Sequence, residues 1–180
     1  MMLHISDKTL SHLQSLVELP DMSGTRYRVI EKIGEGGMGA VFRAQDSALK
    51  RDVALKVMDD TVTSPHFAQR MQQEAQIIAN LEHPGIVPIH DVGTLPDGRG
   101  YYTMKLVHGD RLDVYRQKNK AVPELLRVFL KICDAVAFAH SRNIMHRDLK
   151  PQNIMVGAFG EVLVMDWGLA KILSNEGQEN

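Results

Sequence analysis

The sequence predicts an α+β fold: a β-rich first half interrupted by one helix, followed by a mainly helical second part. Three observations carry this expectation. From Tyr27 the chain runs in short segments rich in Val, Ile and aromatic residues, YRVIEKIG, AVFRAQD and DVALKVM, separated by a glycine-rich turn and by Ser47 to Arg51. Residues 66–82 place Phe67, Met71, Ala75 and Ile78 on one helical face, and Pro84 and Gly85 stop the pattern. Residues 123–141 open with Pro123 and are apolar almost all round, which predicts a helix buried on most sides.

The remaining elements follow in order. Residues 6–19 carry Leu10, Leu13 and Val17 on one stripe behind a Ser6 N-cap, predicting an amphipathic docking helix. Pro20 to Gly24 reads as a linker. Two strands are expected in IVPIHDVGT and GYYTMKLV, joined by the turn Pro96-Asp97-Gly98. Short strands are expected around Ile154 to Val156 and Val162 to Met165, and no internal repeat or low-complexity tract occurs.

Composition narrows the function classes. With 180 residues, 44% hydrophobic and 24% charged, the chain can bury a core as one domain or as two small lobes sharing a cleft. Its 21 Lys and Arg against 22 Asp and Glu make no global electrostatic case for nucleic acid or an anionic membrane. Cys133 is the sole cysteine, which excludes an intrachain disulfide and a cysteine-only metal cluster. It is expected as an inert buried thiol in a reducing, cytoplasmic setting. No apolar run approaches the roughly 20 residues that cross a bilayer, and Asp7 and Glu18 break up any signal-peptide pattern. The eight histidines show no H-x-x-x-H or H-E-x-x-H spacing, so His83, His90, His108 and His140 are read as structural or solvated. The ten methionines are scattered, as core filler is.

Four stretches carry chemistry. Ile33-Gly34-Glu35-Gly36-Gly37-Met38-Gly39-Ala40-Val41 fits G-x-G-x-x-G-x-V, in which glycines let backbone approach phosphate oxygens. It lies between two strands and does not open a helix, which disfavours a dinucleotide-binding fold; no P-loop sequence occurs. On the next strand Ala54 and Lys56 share a face, a small residue for a flat ring beside an ammonium for a phosphate. Glu74 lies on or beside the apolar stripe of its helix, so an inward carboxylate there needs a partner, and Lys56 is the candidate. His146-Arg147-Asp148-Leu149-Lys150-Pro151-Gln152-Asn153 fits H-R-D-L-x-x-x-N throughout, and Asp166-Trp167-Gly168 follows. Asp148 can meet an attacking hydroxyl, while Asn153 and Asp166 supply hard oxygen atoms suited to Mg²⁺.

With these motifs in order, the chain resembles the eukaryotic-type (Hanks-type) serine/threonine protein kinases of bacteria from about Tyr27 to Lys171. The resemblance implies a protein-kinase-like fold that uses ATP and Mg²⁺ and phosphorylates a protein substrate. Gly34, Gly36 and Gly39, with Glu35, Gly37, Met38 and Ala40 of the same loop, would cover the ATP phosphates. Ile33, Val41, Ala54 and Met155 would sandwich the adenine. Lys56 would bind the α- and β-phosphates and be held by Glu74. Met104 would guard the back of the pocket, with Lys105, Leu106 and Val107 as the hinge. Asp148 would accept the substrate proton, Lys150 would steady the transferred phosphate, and Asn153 and Asp166 would hold Mg²⁺.

On this reading residues 1–24 are an N-terminal extension, 25–103 an N-lobe, 104–109 a hinge and 110–180 a partial C-lobe. Trp167 replaces the usual Phe and keeps a large apolar ring; Lys105 stands where an acid is common. No A-P-E motif or activation segment follows Gly168, so the chain is expected as a truncated kinase. Two activities follow as alternatives: a phosphotransferase, or a shortened fold that binds ATP or serves as an interaction module. The 123–141 helix, deprived of covering helices, implies a homodimer or a partner-completed C-lobe.

Overall fold

The computed structural model describes residues 19–36, 39–58, 76, 79–119, 121–167 and 170–172. The helix expected at 6–19, apart from its last residue, and most of that at 66–82, including Glu74, lie outside the described residues, as do Gly37, Met38 and Gly168. The chain divides into two compact units, residues 1–63 with 91–106, and residues 64–90 with 107–180.

In the first unit the three segments after Tyr27 are antiparallel strands β1 (Tyr27–Gly36), β2 (Gly39–Asp46) and β3 (Arg51–Met58). They join β4 (Ile89–Thr94) and β5 (Gly100–Lys105) in one sheet of order β1-β2-β3-β5-β4. The turn into β3 follows from Asp46, whose Oδ1 accepts from the backbone N–H groups of Ala48 and Leu49 at 3.0 and 3.2 Å. Pro96, Asp97 and Gly98 make the next turn, with Gly98 at φ 92 and Asp97 Oδ1 accepting from Arg99 N–H at 3.0 Å.

Alternation sets the two faces of this sheet. Phe42, Ala44, Val53, Leu55, Val57 and Tyr101 meet Tyr27 and Leu95 in one core, against which Leu19 and Met22 also pack. The opposite face carries Val41, Ala54, Lys56, Tyr102 and Met104, aligned by the pairings Val41 to Lys56, Ala54 to Met104 and Lys56 to Tyr102. Residues Val53 through Met58 are buried on both faces, which marks β3 as the central strand.

The second unit contains β6 (Gly109–Arg111), α1 (Leu112–Lys118), α2 (Val122–Ser141), β7 (Ile144–Met145), β8 (Ile154–Gly157), β9 (Val162–Val164) and β10 (Lys171–Ile172). Strands β6, β8 and β9 form one small sheet in that order, and β7 pairs with β10. Helix α2 carries Pro123 and Glu124 in its first turn and is followed by Asn143 at φ 59, whose N–H bonds to the His140 carbonyl at 2.9 Å. Val128, Ile132, Ala135 and Ala139 form its buried stripe and pack with Ile144, Ile154, Val156, Val162, Val164 and Trp167. Leu81 and Ile86 join this core, and Ile86 bridges to Val164. Leu81 and Ile86 are thus part of the core of the second unit.

One expectation, the buried thiol of Cys133, is corrected by the structure. Helix α2 buries one stripe only, and Val122, Leu126, Phe129 and Leu130 are exposed, the apolar surface expected of a 123–141 helix deprived of covering helices. Cys133 is likewise exposed, because it follows Ile132 by about 100° around the helix and leaves the buried stripe. An apolar composition around a helix fixes what that helix is able to bury, while the neighbours available decide what it does bury.

Candidate active site

The first unit places the glycine motif on a hairpin. Ile33, Gly34, Glu35 and Gly36 end β1, Gly39, Ala40 and Val41 begin β2, and Gly36 faces Gly39 across the ladder. The glycines do different work. Gly39 has φ 134, and a Cβ there would collide with the Val57 carbonyl oxygen and lie 2.9 Å from the Met58 Cα. A Cβ on Gly36 would meet nothing within 4 Å, and one on Gly34 would only touch Val41 at 3.8 Å. The fold thus demands Gly39, while Gly34 and Gly36 leave space that a side chain could otherwise fill.

Ala54 and Lys56 are buried and share the face with Val41 and Met104, as alternation requires. Lys56 Nζ lies 5.6 Å from the Tyr102 ring centroid. Ile33 is exposed, Glu35 pairs with Lys32 at 3.0 Å, and Ala40 packs against the opposite, core-facing side. Lys105 ends β5 with its side chain exposed, and Leu106 and Val107 fall on either side of the division between the units.

The second unit assembles the other motif. Lys150 Nζ donates to Asp148 Oδ2 at 2.7 Å, and Asn153 Nδ2 donates to the same oxygen at 3.0 Å and to the Asp148 carbonyl at 2.8 Å. A 3-10 turn over Pro151–Asn153, opened by proline, brings Asn153 back under Asp148. The Lys150 ammonium, with Asn153 in support, holds the Asp148 carboxyl below its ordinary value, so it stays ionised. Because the Asn153 amide nitrogen is committed to Asp148, its Oδ1 is the atom that can face a cation.

His146 joins this loop to the next. It is buried, its Nδ1 accepts from the Asp148 N–H at 3.3 Å, and its Nε2 bonds the Met165 carbonyl at 2.9 Å. A neutral ring protonated at Nε2 satisfies both contacts. The Met165 N–H returns a bond of 2.8 Å to the Asn153 carbonyl, so the residue before Asp166 is fixed at both its backbone groups. Trp167 is buried in the core, with its ring 4.6 Å from that of His146. Arg147 and Asp166 adopt left-handed backbone, at φ 63 and 58, a strained state tolerated where surroundings fix it and common at functional sites. Met155 is half-buried on β8, on the other face from Ile154 and Val156.

The sequence pattern thus finds Asp148, Lys150 and Asn153 as one bonded group, with Asp166 tied to it through Met165. It does not single out His146 as the tie, nor Tyr102 as the neighbour of Lys56. The first is inside the recognised motif but has no reactive role to flag it; the second is visible only once β3 and β5 are placed in register. Among the described residues no group of three or more His, Cys, Asp or Glu clusters as a metal site. An Asn and an Asp alone suit Mg²⁺, which keeps several waters and shares phosphate oxygens.

A family model described as "Protein kinase domain" matches residues 27–180. The serine/threonine-protein kinase PknD of Protochlamydia amoebophila is 41% identical over 168 residues, covering 85% of this chain and 17% of that protein. PknD of Chlamydia muridarum is 41% identical over 160 residues, covering 81% of this chain and 17% of its own length, and that of Chlamydia caviae is 40% identical over 169 residues, covering 86% and 18%. The chain therefore spans about a sixth of the length of these curated relatives.

Proposed function

This chain belongs to the protein kinase domain family, and from that premise we propose that it is an ATP- and Mg²⁺-dependent protein serine/threonine kinase. The observation that carries the reading is the Asp148 carboxylate, ionised and held between Lys150 and Asn153. An aspartate held this way is positioned to orient a serine or threonine hydroxyl and accept its proton late in the transfer, when the leaving of the proton is most favourable. Lys150, already at 2.7 Å from that carboxylate, adds a positive charge where the transferring phosphoryl group develops negative charge.

The remaining residues of the motifs bind and orient the nucleotide in this reading. The hairpin of Gly34, Gly36 and Gly39 presents backbone N–H groups to phosphate, Lys56 supplies the cation for the α- and β-phosphates, and Glu74 holds Lys56. Ile33, Val41, Ala54 and Met155 flank the adenine, and Met104 with Lys105, Leu106 and Val107 line its edge. Asn153 Oδ1 and the Asp166 carboxylate would hold Mg²⁺, which supplies charge neutralisation of the phosphate oxygens when bound. Little covalent work then falls to the protein; positioning and electrostatics lower the barrier.

The test is transfer of phosphate from Mg-ATP to a generic protein substrate by the unsubstituted chain and by Asp148→Ala, with nucleotide affinity measured on both. Transfer lost in Asp148→Ala with affinity retained is the expected result. Equal, negligible transfer in both, with ATP still bound, overturns the kinase reading and favours a nucleotide-binding interaction module. The exposed apolar residues of α2 support a further part of the proposal, that a second polypeptide, a second copy or a different chain, covers this face. A monomer by sedimentation at micromolar concentration and no complex with any partner would overturn it. A cytoplasmic setting is supported by the single cysteine; among the described residues no helix is long and apolar enough to cross a membrane.

A further inference from the structure

We propose that Tyr102 is a positioning residue for Lys56, holding its ammonium group over the aromatic face so that it meets the nucleotide phosphates in one orientation. The proposal rests on the nucleotide-binding reading above. Strands β3 and β5 set Lys56 directly opposite Tyr102 in the ladder, so both side chains leave the sheet on the same face. The Nζ stands 5.6 Å from the ring centroid, inside the range in which a cation is attracted by the ring quadrupole. Both residues are buried, Lys56 at 6% exposure and Tyr102 at 1%. Water screens the attraction little there, and it is at the stronger end of its range.

The chemistry of the pair suits phosphate binding. Lysine is a point charge on a flexible four-carbon stem, which finds no single orientation by itself. An aromatic face steers the cation without adding a formal charge of its own. Tyr102 is not filler for the first unit's core either: that core gathers on the other face of the sheet, and Tyr101, its neighbour in sequence, is the residue that joins it.

The test varies the ring's quadrupole without altering its size. Tyr102→Phe, followed by Phe analogues carrying one, two and three ring fluorines at position 102, is prepared in the full chain, and Mg-ATP affinity is measured by calorimetry. The same series is made with Lys56→Met. With Tyr102→Phe as the reference of the series, affinity is expected to fall stepwise with each fluorine, reaching about tenfold at three. In the Lys56→Met series it should not respond to fluorine. A merely structural ring predicts no response in either series, and that flat result in a protein that binds Mg-ATP overturns this proposal alone. An equal decline in both series also overturns it. If the unsubstituted chain binds no Mg-ATP, the nucleotide-site reading fails and the positioning role falls with it.

Discussion

The Tyr27 hydroxyl donates to Asp91 Oδ2 at 3.0 Å, although their strands, β1 and β4, stand at opposite edges of the five-stranded sheet. The sheet of the first unit therefore curls until its edges meet around the core. Arg26 reinforces the seam, with Nη2 donating to the Tyr27 oxygen at 2.7 Å and lying 3.0 Å from Asp91, and Thr103 adds a bond of 3.3 Å from its hydroxyl. Tyr27→Phe keeps the ring and deletes the oxygen, leaving the buried Thr103 hydroxyl without this acceptor. A loss of about 1–2 kcal/mol is expected, read as a lower urea midpoint at unchanged slope.

The same seam makes stability fall in alkali. Burial, the largest cause at each residue, raises Tyr27 and Tyr101 above the ordinary phenol value of 10.0. The unfolded chain then releases protons that the native state retains. This contribution is fully present below pH 10.0 and is lost as the pH rises through the folded values. Unfolding measured between neutral and strongly alkaline pH should show the decline, and Tyr27→Phe should make it shallower while the part due to Tyr101 persists.

At the second unit the expected pH dependence has the opposite sign. The Lys150 hydrogen bond is the largest cause holding Asp148 below its ordinary 3.8. Its contribution is present above pH 3.8 and is lost as the pH falls through the folded value. Lys150→Ala should move the Asp148 midpoint upward, followed by carboxyl-carbon NMR, with Asn153 keeping it from returning fully. An unmoved midpoint would show that Lys150 does not govern this carboxylate.

Two glycines of one motif should separate in a single experiment. Gly39→Ala forces a Cβ into the backbone of β3 at a left-handed position, and about 2–4 kcal/mol of stability should be lost. Gly36→Ala puts its methyl into open space, so stability should change by less than about 1 kcal/mol. Its expected effect is weaker Mg-ATP binding at a near-normal thermal midpoint.

His146→Ala removes one acceptor and one donor at once. The Asp148 N–H and the Met165 carbonyl lose their partner in a largely buried place, beside the Trp167 ring. A cost of about 3 kcal/mol is expected, together with a change in Trp167 fluorescence, since this is the protein's only tryptophan.

How much of this was readable beforehand depends on whether the information is local. Alternation in DVALKVM and the turn residues Pro96, Asp97 and Gly98 are local, and the strands and hairpin stand where those signals put them. The short pair of β7 and β10 has no such signature, because two-residue strands carry no period. The exposure of Cys133 escapes the sequence for a related reason: helical periodicity reports the hydrophobicity of a face and is silent on its neighbour. The grouping of Asp148, Lys150 and Asn153 was legible because all three lie within one turn-forming stretch. The Tyr27–Asp91 seam and the Lys56–Tyr102 pair join residues far apart in sequence, and only sheet order and register bring them together.

Met165 has a further consequence. With its N–H bonded to Asn153 and its carbonyl to His146, the stretch ahead of Asp166 and the loop of Asp148 cannot loosen independently. Their amide hydrogens should exchange with solvent through one shared opening event, with equal opening free energies for Asn153 and Met165. The disorder that must vanish to hold the Asp148 loop against the stretch ahead of Asp166 is then removed during folding, and under the proposed function an arriving ligand finds that part of the entropy loss already complete.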